Sequence, residues 1–559
     1  MAKKNNDLEP KLVTLFKEGY DIPTFGKDVL AGIIVGIVAL PLSIAFAIAS
    51  GVKPEQGIIT AVIAGFLISS LSGSRFQIGG PTGAFIVIVY DIVQKFGYEG
   101  LATATIMAGV MLVVMGLARL GDSIKFIPYP VTIGFTSGIA LIIFSTQVKD
   151  FLGLTIAHVP DRFIPKWTAY LQHISTINWN SLLLASLTVL IVVAWPKVTK
   201  RLPGPLMAIL FTTLLVKIFH MPVDTIGSRF GEVPNHFPPP HIPTINLDII
   251  TKLSSSALAI ALLAGIESLL SAVVADGMTG RKHRSNIELI SQGVANIVCP
   301  IFSGIPATGA IARTATNIKN GGQTPIAGIV HAITVLALFL FFGKFAALIP
   351  MATLAGILVV VAYNMSEWHL FLKMLNTSKG DITVLLITFS LTVLVDLTVA
   401  IEVGVVLAAF LFMHRVVAIT QVGFVTESLE EDPDDPYAIH KRIVPKGVEV
   451  FEINGPFFFG AADKFRDMLR EIQNKPKILI LRMRYVPSID ATGMRALEDL
   501  HEQSIKDKTQ IIISGMSDSL FERLKHFGFV EKIGAAFIHK TIDQALDHAR
   551  SLLEYKPQS

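Results

Sequence analysis

Two short segments with nearly the same residues open two different apolar stretches of the chain. One reads Gly80-Pro81-Thr82-Gly83-Ala84-Phe85 and the other Pro306-Ala307-Thr308-Gly309-Ala310-Ile311. Thr82 and Thr308 are 226 residues apart, and the same shift places the apolar stretch 36–51 over the apolar stretch 262–277. Hydrophobic segments interrupted by Gly and Pro at matching places in two halves indicate the binding site of a transporter.

Each segment is predicted to begin a half-helix inside the bilayer. The first N–H groups of a helix have no partner within that helix, and the helix dipole adds partial positive charge at the same end. Such an end attracts anions. The duplicated segments therefore predict both the place of a substrate and its negative charge.

Glu267 lies in the middle of an apolar span, within Gly265-Ile266-Glu267-Ser268-Leu269-Leu270-Ser271. An ionisable group at this depth is costly and indicates a functional site by default. Glu267 would take up a proton on one side of the membrane and release it on the other. The alternative is a polar clamp between helices, and the depth of the residue favours the first interpretation.

Arg313 lies four residues after Gly309, one turn into the second half-helix and on the same face. It would either supply a fixed positive charge for an anion or pair with Glu267, and the sequence does not rank these two roles. The shift of 226 residues places Val87 opposite Arg313. The two halves of the site are therefore predicted to be unequal in charge.

The evidence for a functional role is weaker for the remaining candidate residues. On spacing alone, Phe46 and Phe85 are predicted to be packing residues rather than substrate contacts. The chain shows no nucleophile with an accompanying base and no cluster of metal ligands, so we predict no enzyme activity, no metal and no cofactor. The net charge of +4 is explained by membrane topology rather than by nucleic-acid binding.

The composition indicates a membrane protein with a soluble tail. The chain has 559 residues, of which 52% are hydrophobic and 16% charged, and its mean hydropathy is +0.59. Soluble domains are normally about a quarter charged. Apolar runs recur from Val29 to about Ala418, which leaves room for roughly 12 to 14 crossings at about 20 residues each.

We predict fourteen spans, arranged as two inverted repeats of seven. They lie at about 29–50, 57–72, 82–94, 101–118, 128–148, 181–196, 203–220, 254–276, 287–303, 309–319, 323–342, 346–362, 381–395 and 399–418. Lys and Arg follow the even-numbered spans, so both termini are predicted to be cytoplasmic. The domains are a cytoplasmic segment 1–27, a transporter domain 28–420 with repeats at about 28–220 and 254–420, an acidic linker 421–438 and a soluble domain 439–559.

The soluble domain alternates strand and helix patterns, which predicts a small α/β domain. Within it, Val486-Pro487-Ser488-Ile489-Asp490-Ala491-Thr492-Gly493 follows a strand and opens a helix. Thr492 is interpreted either as the N-cap of that helix or as a phosphorylation site that a kinase or cytoplasmic partner reads.

The chain resembles the sulfate permease (SulP) anion transporters over nearly its whole length. The motifs that carry the resemblance are Ala39-Leu40-Pro41-Leu42-Ser43-Ile44-Ala45-Phe46-Ala47, Gly80 to Phe85, Glu267-Ser268-Leu269-Leu270, Asp276-Gly277-Met278-Thr279-Gly280 and Gly304 to Thr314. The tail resembles a STAS domain, and Asp490-Ala491-Thr492-Gly493 is similar to the loop that is phosphorylated in anti-sigma-factor antagonists. Stretches such as Lys149-Asp150-Phe151-Leu152-Gly153-Leu154 are similar to bacterial C4-dicarboxylic acid transporters of this family.

The resemblance implies a core and a gate within each subunit of a homodimer in the cell membrane, with the substrate between the starts of spans three and ten. The site residues that it implies are Phe46, Thr82, Gly83, Ala84, Phe85, Glu267, Thr308, Gly309, Ala310, Ile311 and Arg313. Sodium-coupled bicarbonate relatives carry aspartate in place of Glu267 and threonine in place of Ile311. Isoleucine offers no oxygen ligand to a hard cation, so Glu267 favours coupling to protons over sodium.

These observations predict a secondary transporter that takes up small anions with protons. A C4-dicarboxylate such as succinate or fumarate is the first expected substrate and sulfate the second. The alternatives are a bicarbonate transporter, or an uncoupled anion channel or exchanger of the same fold. A membrane-anchored signalling protein that acts through Thr492 is a rival of another class.

Overall fold

The computed structural model describes residues 7–124, 128–157, 159–199, 203–232, 234, 236–243, 247–424, 435–470 and 475–554. The chain forms two compact units, Met1–Ala408 and Ala409–Ser559. The first unit is helical apart from two very short strands, and the second contains a five-stranded sheet.

The helices of the first half include both long apolar helices and short connecting helices. They are α1 (Lys11–Glu18), α2 (Ile22–Ala49), α3 (Pro54–Leu71), α4 (Ile86–Leu117), α5 (Gly121–Ile124), α6 (Tyr129–Leu152), α7 (Phe163–Gln172), α8 (Trp179–Val198), α9 (Gly204–Phe219) and α10 (Ile226–Phe230). Those of the second half are α11 (Leu247–Thr279), α12 (Ser285–Val298), α13 (Ile311–Lys319), α14 (Pro325–Ala346), α15 (Met351–Met365), α16 (Trp368–Met374), α17 (Lys379–Leu394) and α18 (Leu397–Ile419). The short strands are β1 (Gly79–Gly80) and β2 (Thr308–Gly309), and β1 leads through a 3-10 turn at Gly83–Phe85 into α4.

A helical segment lies at each of the fourteen predicted spans, which confirms the predicted fold class. Spans three and four are the two segments of α4, which is broken at Gly97 by a backbone with φ of 67°. Among the described residues, nine helices are long and apolar enough to cross a membrane by length and composition. The other predicted spans are shorter helices or share α4, because half-helices and the polar α12 do not face lipid along their whole length.

The two repeats pack against each other in a symmetric way. The second segment of α4 packs on α11 and α12 of the second repeat, while α14 packs on α2 and α3 of the first. A separate bundle forms where α6 packs on α15 and α17, and α8 on α15. We call the first set, around the broken helices, the core and the second set the gate, after the two parts that the sequence resemblance implies.

Glycine allows the closest of these crossings. A Cβ on Gly109 of α4 would lie 2.7 Å from the carbonyl oxygen of Gly293 on α12, and a Cβ on Gly293 would lie 2.6 Å from that of Gly109. Small residues allow helix backbones to approach closely in membranes. The reciprocal contact therefore holds the two repeats together at the core.

The second unit is a parallel sheet with one antiparallel edge strand, in the order β3-β4-β5-β6-β7. Its strands are β3 (Gln421–Phe424), β4 (Val448–Asn454), β5 (Ile478–Tyr485), β6 (Gln510–Ser514) and β7 (Ile538–His539), and its helices are α19 (Phe459–Arg470), α20 (Ala491–Asp507), α21 (Asp518–His526), α22 (Phe529–Ile533) and α23 (Ile542–Glu554). Alternate residues of the central strands enter two separate apolar clusters, one on each face. Both faces are covered, as is usual for parallel strands, and this confirms the predicted α/β tail.

The structure differs from the predicted linker at 421–438. Its first four residues form β3, which pairs with β4 in the register Gln421↔Asn454 to Phe424↔Phe451. This strand was missed because it directly follows an apolar span and four residues give too short a pattern to show alternation. Residues 425–434, which carry most of the acidic side chains, lie outside the described residues.

The N-cap interpretation of Thr492 is wrong. Asp490 is the N-cap of α20, and its Oδ1 accepts from the N–H of Gly493 at 2.7 Å. Its Oδ2 accepts from the N–H of Phe459 at 3.2 Å, which ties the start of α19 to the same carboxylate. Thr492 lies in the first turn of α20 and is partly buried, and its phosphorylation stays a prediction.

Replacing Asp490 with alanine should lower the free energy of unfolding of the soluble unit by about 1 kcal/mol, because the N–H groups of Gly493 and Phe459 lose their acceptor. Urea denaturation of residues 436–559, followed by circular dichroism, measures this change. Glu522→Ala, an exposed substitution within α21, is the matched control and should change the value little. Equal stability of the two variants would contradict the capping role.

Candidate anion-binding site

The duplicated segments meet in the core of the first unit. β1 and β2 pair antiparallel, with Gly79 opposite Gly309 and Gly80 opposite Thr308. In the same register Pro81 would lie opposite Ala307, and the shift of 226 residues relates these same two positions. The local two-fold axis of the inverted repeat therefore passes between them. The ladder does not continue symmetrically beyond this axis, because Pro306 has no N–H with which to pair.

Both half-helices begin without a side-chain cap. The turn Gly83–Phe85 that leads into α4 starts at Thr82, and α13 starts at Ala310, and neither residue bonds the helix N–H groups through its side chain. Uncapped N–H groups and the positive dipole end favour an anion. The predicted half-helices are therefore present, and their starts lie beside one another across the short ladder.

The side chains of the two threonines in the duplicated segments make different contacts. The hydroxyl of Thr308 donates to the carbonyl oxygen of Ala264 in α11 at 2.7 Å, so it holds β2 against that helix. The hydroxyl of Thr82 is buried and has no hydrogen-bond partner among the described residues. A buried hydroxyl without a partner is costly, so Thr82, rather than Thr308, has its side chain available to a ligand.

Glu267 lies on α11, which packs against both β2 and the Gly83–Phe85 turn. Its residue surface is 9% exposed, and its carboxylate makes no hydrogen bond or ion pair with any of the described residues. Its neighbours on the helix are engaged, since Ser268 bonds Glu288 at 2.8 Å and Ser271 bonds Thr314 at 3.1 Å. Glu267 is thus a buried carboxylate beside both helix starts whose proton-binding oxygens are not used by the scaffold.

Arg313 contacts the first copy of the duplicated segment rather than Glu267. Its Nη2 donates to the carbonyl oxygen of Pro81 at 3.1 Å and to the Ser43 hydroxyl at 3.3 Å. Its buried Nη1 has no partner among the described residues. A Cβ on Gly80 would lie 2.4 Å from that Nη1. The pairing of Arg313 with Glu267 is therefore not observed, and the guanidinium keeps unused donors beside the first helix start.

Side chains of the gate close over the first half-helix. The position of a Cβ on Gly83 lies 2.9 Å from Sδ of Met365, 3.5 Å from Cε1 of Phe46 and 3.6 Å from Cδ1 of Ile143. Phe46 is 6% exposed, whereas Phe85 is 1% exposed and Ala84 is also buried. Phe46 therefore lies at the contact between core and gate, while Phe85 is a packing residue in this structure.

The second half-helix is built differently. The amide of Gln77 occupies the space where a side chain on Gly309 would be, and it donates to the Ser268 hydroxyl at 2.7 Å. The N–H of Ala310 donates to the carbonyl oxygen of Ile78 at 2.9 Å. Ile311 is the first residue of α13 and places an apolar side chain there. This half of the site offers fewer side-chain oxygens than the first.

Polar residues of α12 hold this half in place through interhelical hydrogen bonds. Asn296 donates to the carbonyl oxygen of Ala307 at 2.8 Å and accepts from its N–H at 2.9 Å. The buried Glu288 accepts from Ser72, Gly73, Ser268 and Gln292. A carboxylate that accepts four hydrogen bonds has a structural role. Glu267, which directly precedes Ser268 in the chain, accepts none from the described residues.

Two participants were missed by the sequence. Gln77 links the first segment to α11, and the buried ring of His331 lies close enough to Arg313 to sense its charge, with neither ring nitrogen partnered among the described residues. Gln77 lies three residues before the duplicated segment, so its position near the motif was the available signal. His331 lies in an ordinary apolar span of α14 and gave none.

Two uncapped helix starts lie beside a buried carboxylate and a guanidinium whose Nη1 has no partner among the described residues, an arrangement that suits an anion transporter. Residues 25–388 match the model of the sulfate permease family, and residues 441–545 match that of the STAS domain. The chain belongs to the sulfate permease family and is a multi-pass membrane protein with a C-terminal STAS domain.

Named relatives are transporters. The chain is 44% identical over 519 residues to the putative sulfate transporter YvdB of Bacillus subtilis, covering 92% of this chain and 96% of that protein. It is 30% identical over 546 residues to the bicarbonate transporter BicA of Picosynechococcus, covering 93% of this chain and 94% of the relative. The structure of the murine Solute Carrier 26 family member A9 anion transporter matches this chain with a TM-score of 0.86, over 99% of this chain and 96% of that protein's chain. The sequence identity is 18%, so the match shows a shared fold.

Proposed function

We propose that the protein takes up small anions together with protons, with a C4-dicarboxylate such as succinate or fumarate as the first substrate. Sulfate is the second candidate and bicarbonate the third. The anion would lie between the two helix starts, and Glu267 would carry the proton. No cofactor and no nucleic acid takes part in this function.

The observation that carries the proposal is the state of Glu267. A carboxylate at membrane depth is normally paired or hydrogen-bonded, and Glu288 shows how this scaffold satisfies one it uses for structure. Glu267 has no such partner among the described residues, so its carboxylate oxygens are not used by the scaffold and are available to a proton. Because the proton and the anion would bind at adjacent positions, binding of each is expected to depend on binding of the other.

The choice of substrate depends on how many positive groups the site presents. The start of α4, with Nη1 of Arg313 beside it, and the start of α13 on the other strand of the ladder offer two separate positive positions, which suits an anion with two carboxylates. The names of the relatives favour sulfate and bicarbonate instead. A single compact anion would need only one helix start and Arg313.

We also propose the cell membrane as the location, with both termini in the cytoplasm, in accord with the Lys and Arg that follow the even-numbered spans. The transporter domain would extend over 28–420 and the soluble domain over 439–559. We propose a homodimer, and a kinase or cytoplasmic partner that acts at Thr492.

Uptake into proteoliposomes tests the proposal. We expect an inward proton gradient to drive uptake of labelled succinate, and a sodium gradient at constant pH to drive none. Labelled sulfate and bicarbonate, presented in parallel, rank the three anions. Uptake that follows sodium, or no uptake of any of the three anions, would contradict the proposed function.

The alternative function is an uncoupled anion channel of the same fold. Current recordings in planar bilayers separate it from a carrier, because a channel passes ions far faster than a protein that must change conformation in each cycle. A large steady anion conductance without a proton gradient would favour the channel. We expect no such conductance, since the gate closes over Gly83.

A further inference from the structure

A cavity of about 370 Å³ borders the first helix start, and the first residues of α4, Ile86 to Ile88, form part of its lining. It opens between the core, where α2 and the first segment of α4 end, and the gate, formed there by α6, α7 and α17. Its lining includes Val87, Tyr90, Asp161, Thr392 and Lys166, and none of the residues predicted for the central site. A cavity of this size is within the range of small-molecule sites.

Lys166 of α7 is the unusual member of this lining. The residue is 5% exposed, and its ammonium makes no hydrogen bond or ion pair with any of the described residues. Lys149, by comparison, donates to the carbonyl oxygen of Ile156 at 2.7 Å. A buried charge without a partner is costly, and burial accordingly lowers the pKa of Lys166. A partner that is not part of the chain would remove this cost.

Three carboxylates of the chain line the cavity, those of Asp91, Asp161 and Asp396. Asp161 is near enough to interact with the charge of Lys166, but its Oδ1 accepts from the Tyr90 hydroxyl at 3.4 Å. Asp91 of the same cavity is paired with Lys95 at 2.8 Å. Lys166 is thus the buried cation of this cavity, and its ammonium, which interacts with the charge of Asp161 but makes no direct hydrogen bond to any of the described residues, can still donate to a ligand.

We propose that this cavity binds a small anion, a carboxylate or an oxyanion such as sulfate, through the ammonium of Lys166. It lies on the face of the membrane domain where α2 ends, which is the outer face in the predicted topology. Since the inference rests on the proposed function for the identity of the anion, the site would be a waiting position for the transported anion before the gate opens. Its occupant would replace the missing counter-ion of Lys166.

Site-directed labelling tests the binding without any need for transport. Val87 lines the cavity, and the chain has one cysteine, the buried Cys299, so Val87→Cys combined with Cys299→Ala gives one reactive thiol. We expect succinate or sulfate to slow its reaction with a neutral maleimide in the purified protein, while the uncharged sugar sucrose at the same concentration does not. Addition of Lys166→Met should remove this protection, and Lys166→Arg should keep it.

A further variant separates this cavity from the central site. With Arg313→Met added, protection of Val87→Cys should persist, because Arg313 does not line the cavity. Protection that survives Lys166→Met, or that disappears with Arg313→Met alone, would overturn the proposal. If Lys166→Met does not yield a monodisperse protein, Lys166→Gln takes its place in the same comparison.

Transport kinetics give the second readout. Lys166→Met should raise the KM for uptake about tenfold, the loss expected for one charged hydrogen bond, with little change in the maximal rate. Lys252→Met, which removes an exposed lysine paired with Asp248 outside the cavity, is the matched control and should leave KM unchanged. An unchanged KM in Lys166→Met together with unprotected labelling would sink this inference, whereas absent uptake by the unaltered protein would count against the proposed function alone.

Discussion

Replacing Glu267 with glutamine is expected to reduce uptake driven by a proton gradient to the level of empty liposomes. Glutamine keeps the size and hydrogen-bonding capacity of the protonated carboxyl group, but it cannot release a proton. Exchange of labelled for unlabelled anion at equal pH on both sides needs no net proton movement, so we expect it to continue. The two assays together separate loss of coupling from loss of the site.

Glu402→Gln is the matched control for this variant. Glu402 is an exposed carboxylate of α18 that accepts from the Ser255 hydroxyl at 3.3 Å. We expect its uptake to follow the proton gradient as in the unaltered protein. If gradient-driven uptake survives in Glu267→Gln, the proton role of Glu267 is wrong. If exchange is lost as well, Glu267 is a structural clamp of the site.

Replacing Arg313 with methionine is expected to weaken anion binding by about 10- to 100-fold, the range for loss of a charged hydrogen bond of about 1.5–3 kcal/mol. Nη1 of Arg313 is buried without a described partner beside the first helix start, so an anion there would satisfy it. Equilibrium binding of labelled anion to the purified protein measures the change. Arg313→Lys keeps the charge but not the planar donors. We expect its anion affinity to lie between those of the unaltered protein and Arg313→Met.

A substitution outside the arginine gives an independent check. Gly80→Ala would place a Cβ 2.4 Å from Nη1 of Arg313, at a backbone φ of 150° that side chains rarely adopt. We expect it to displace the guanidinium and to weaken binding in the same direction as Arg313→Met. Gly26→Ala, which meets no atom within 4 Å, is the control. An unchanged affinity in both Arg313→Met and Gly80→Ala would contradict the role of Arg313 in binding.

The architecture could be predicted from the sequence because the bilayer constrains it so strongly. Each crossing must be an apolar helix with its backbone satisfied internally, so the fourteen segments are visible as apolar runs interrupted by Gly and Pro. The shift between Thr82 and Thr308 revealed the repeat, and the odd number of spans in each copy required that the second be inverted. The ladder between Gly79–Gly80 and Thr308–Gly309 follows from that symmetry.

Capping and edge pairing were predicted less well. Asp490 and Thr492 are both acceptable N-caps by residue type, and only the backbone position of Gly493 decides that Asp490 makes the bond. The edge strand at Gln421–Phe424 depends on pairing with β4, some thirty residues later in the chain. A local sequence pattern cannot predict a strand that forms only because it pairs with a distant strand.

The sequence by itself determined the class of the protein, the repeat and the residues that the site draws on. Only the tertiary structure decided which of these residues are free to bind. Thr308 is engaged by Ala264 while Thr82 is not, and Arg313 contacts Pro81 rather than Glu267. The reason is that a buried polar group is satisfied by whatever the fold brings to it, and Ser43 and Pro81, the partners of Arg313, lie more than two hundred residues away along the chain.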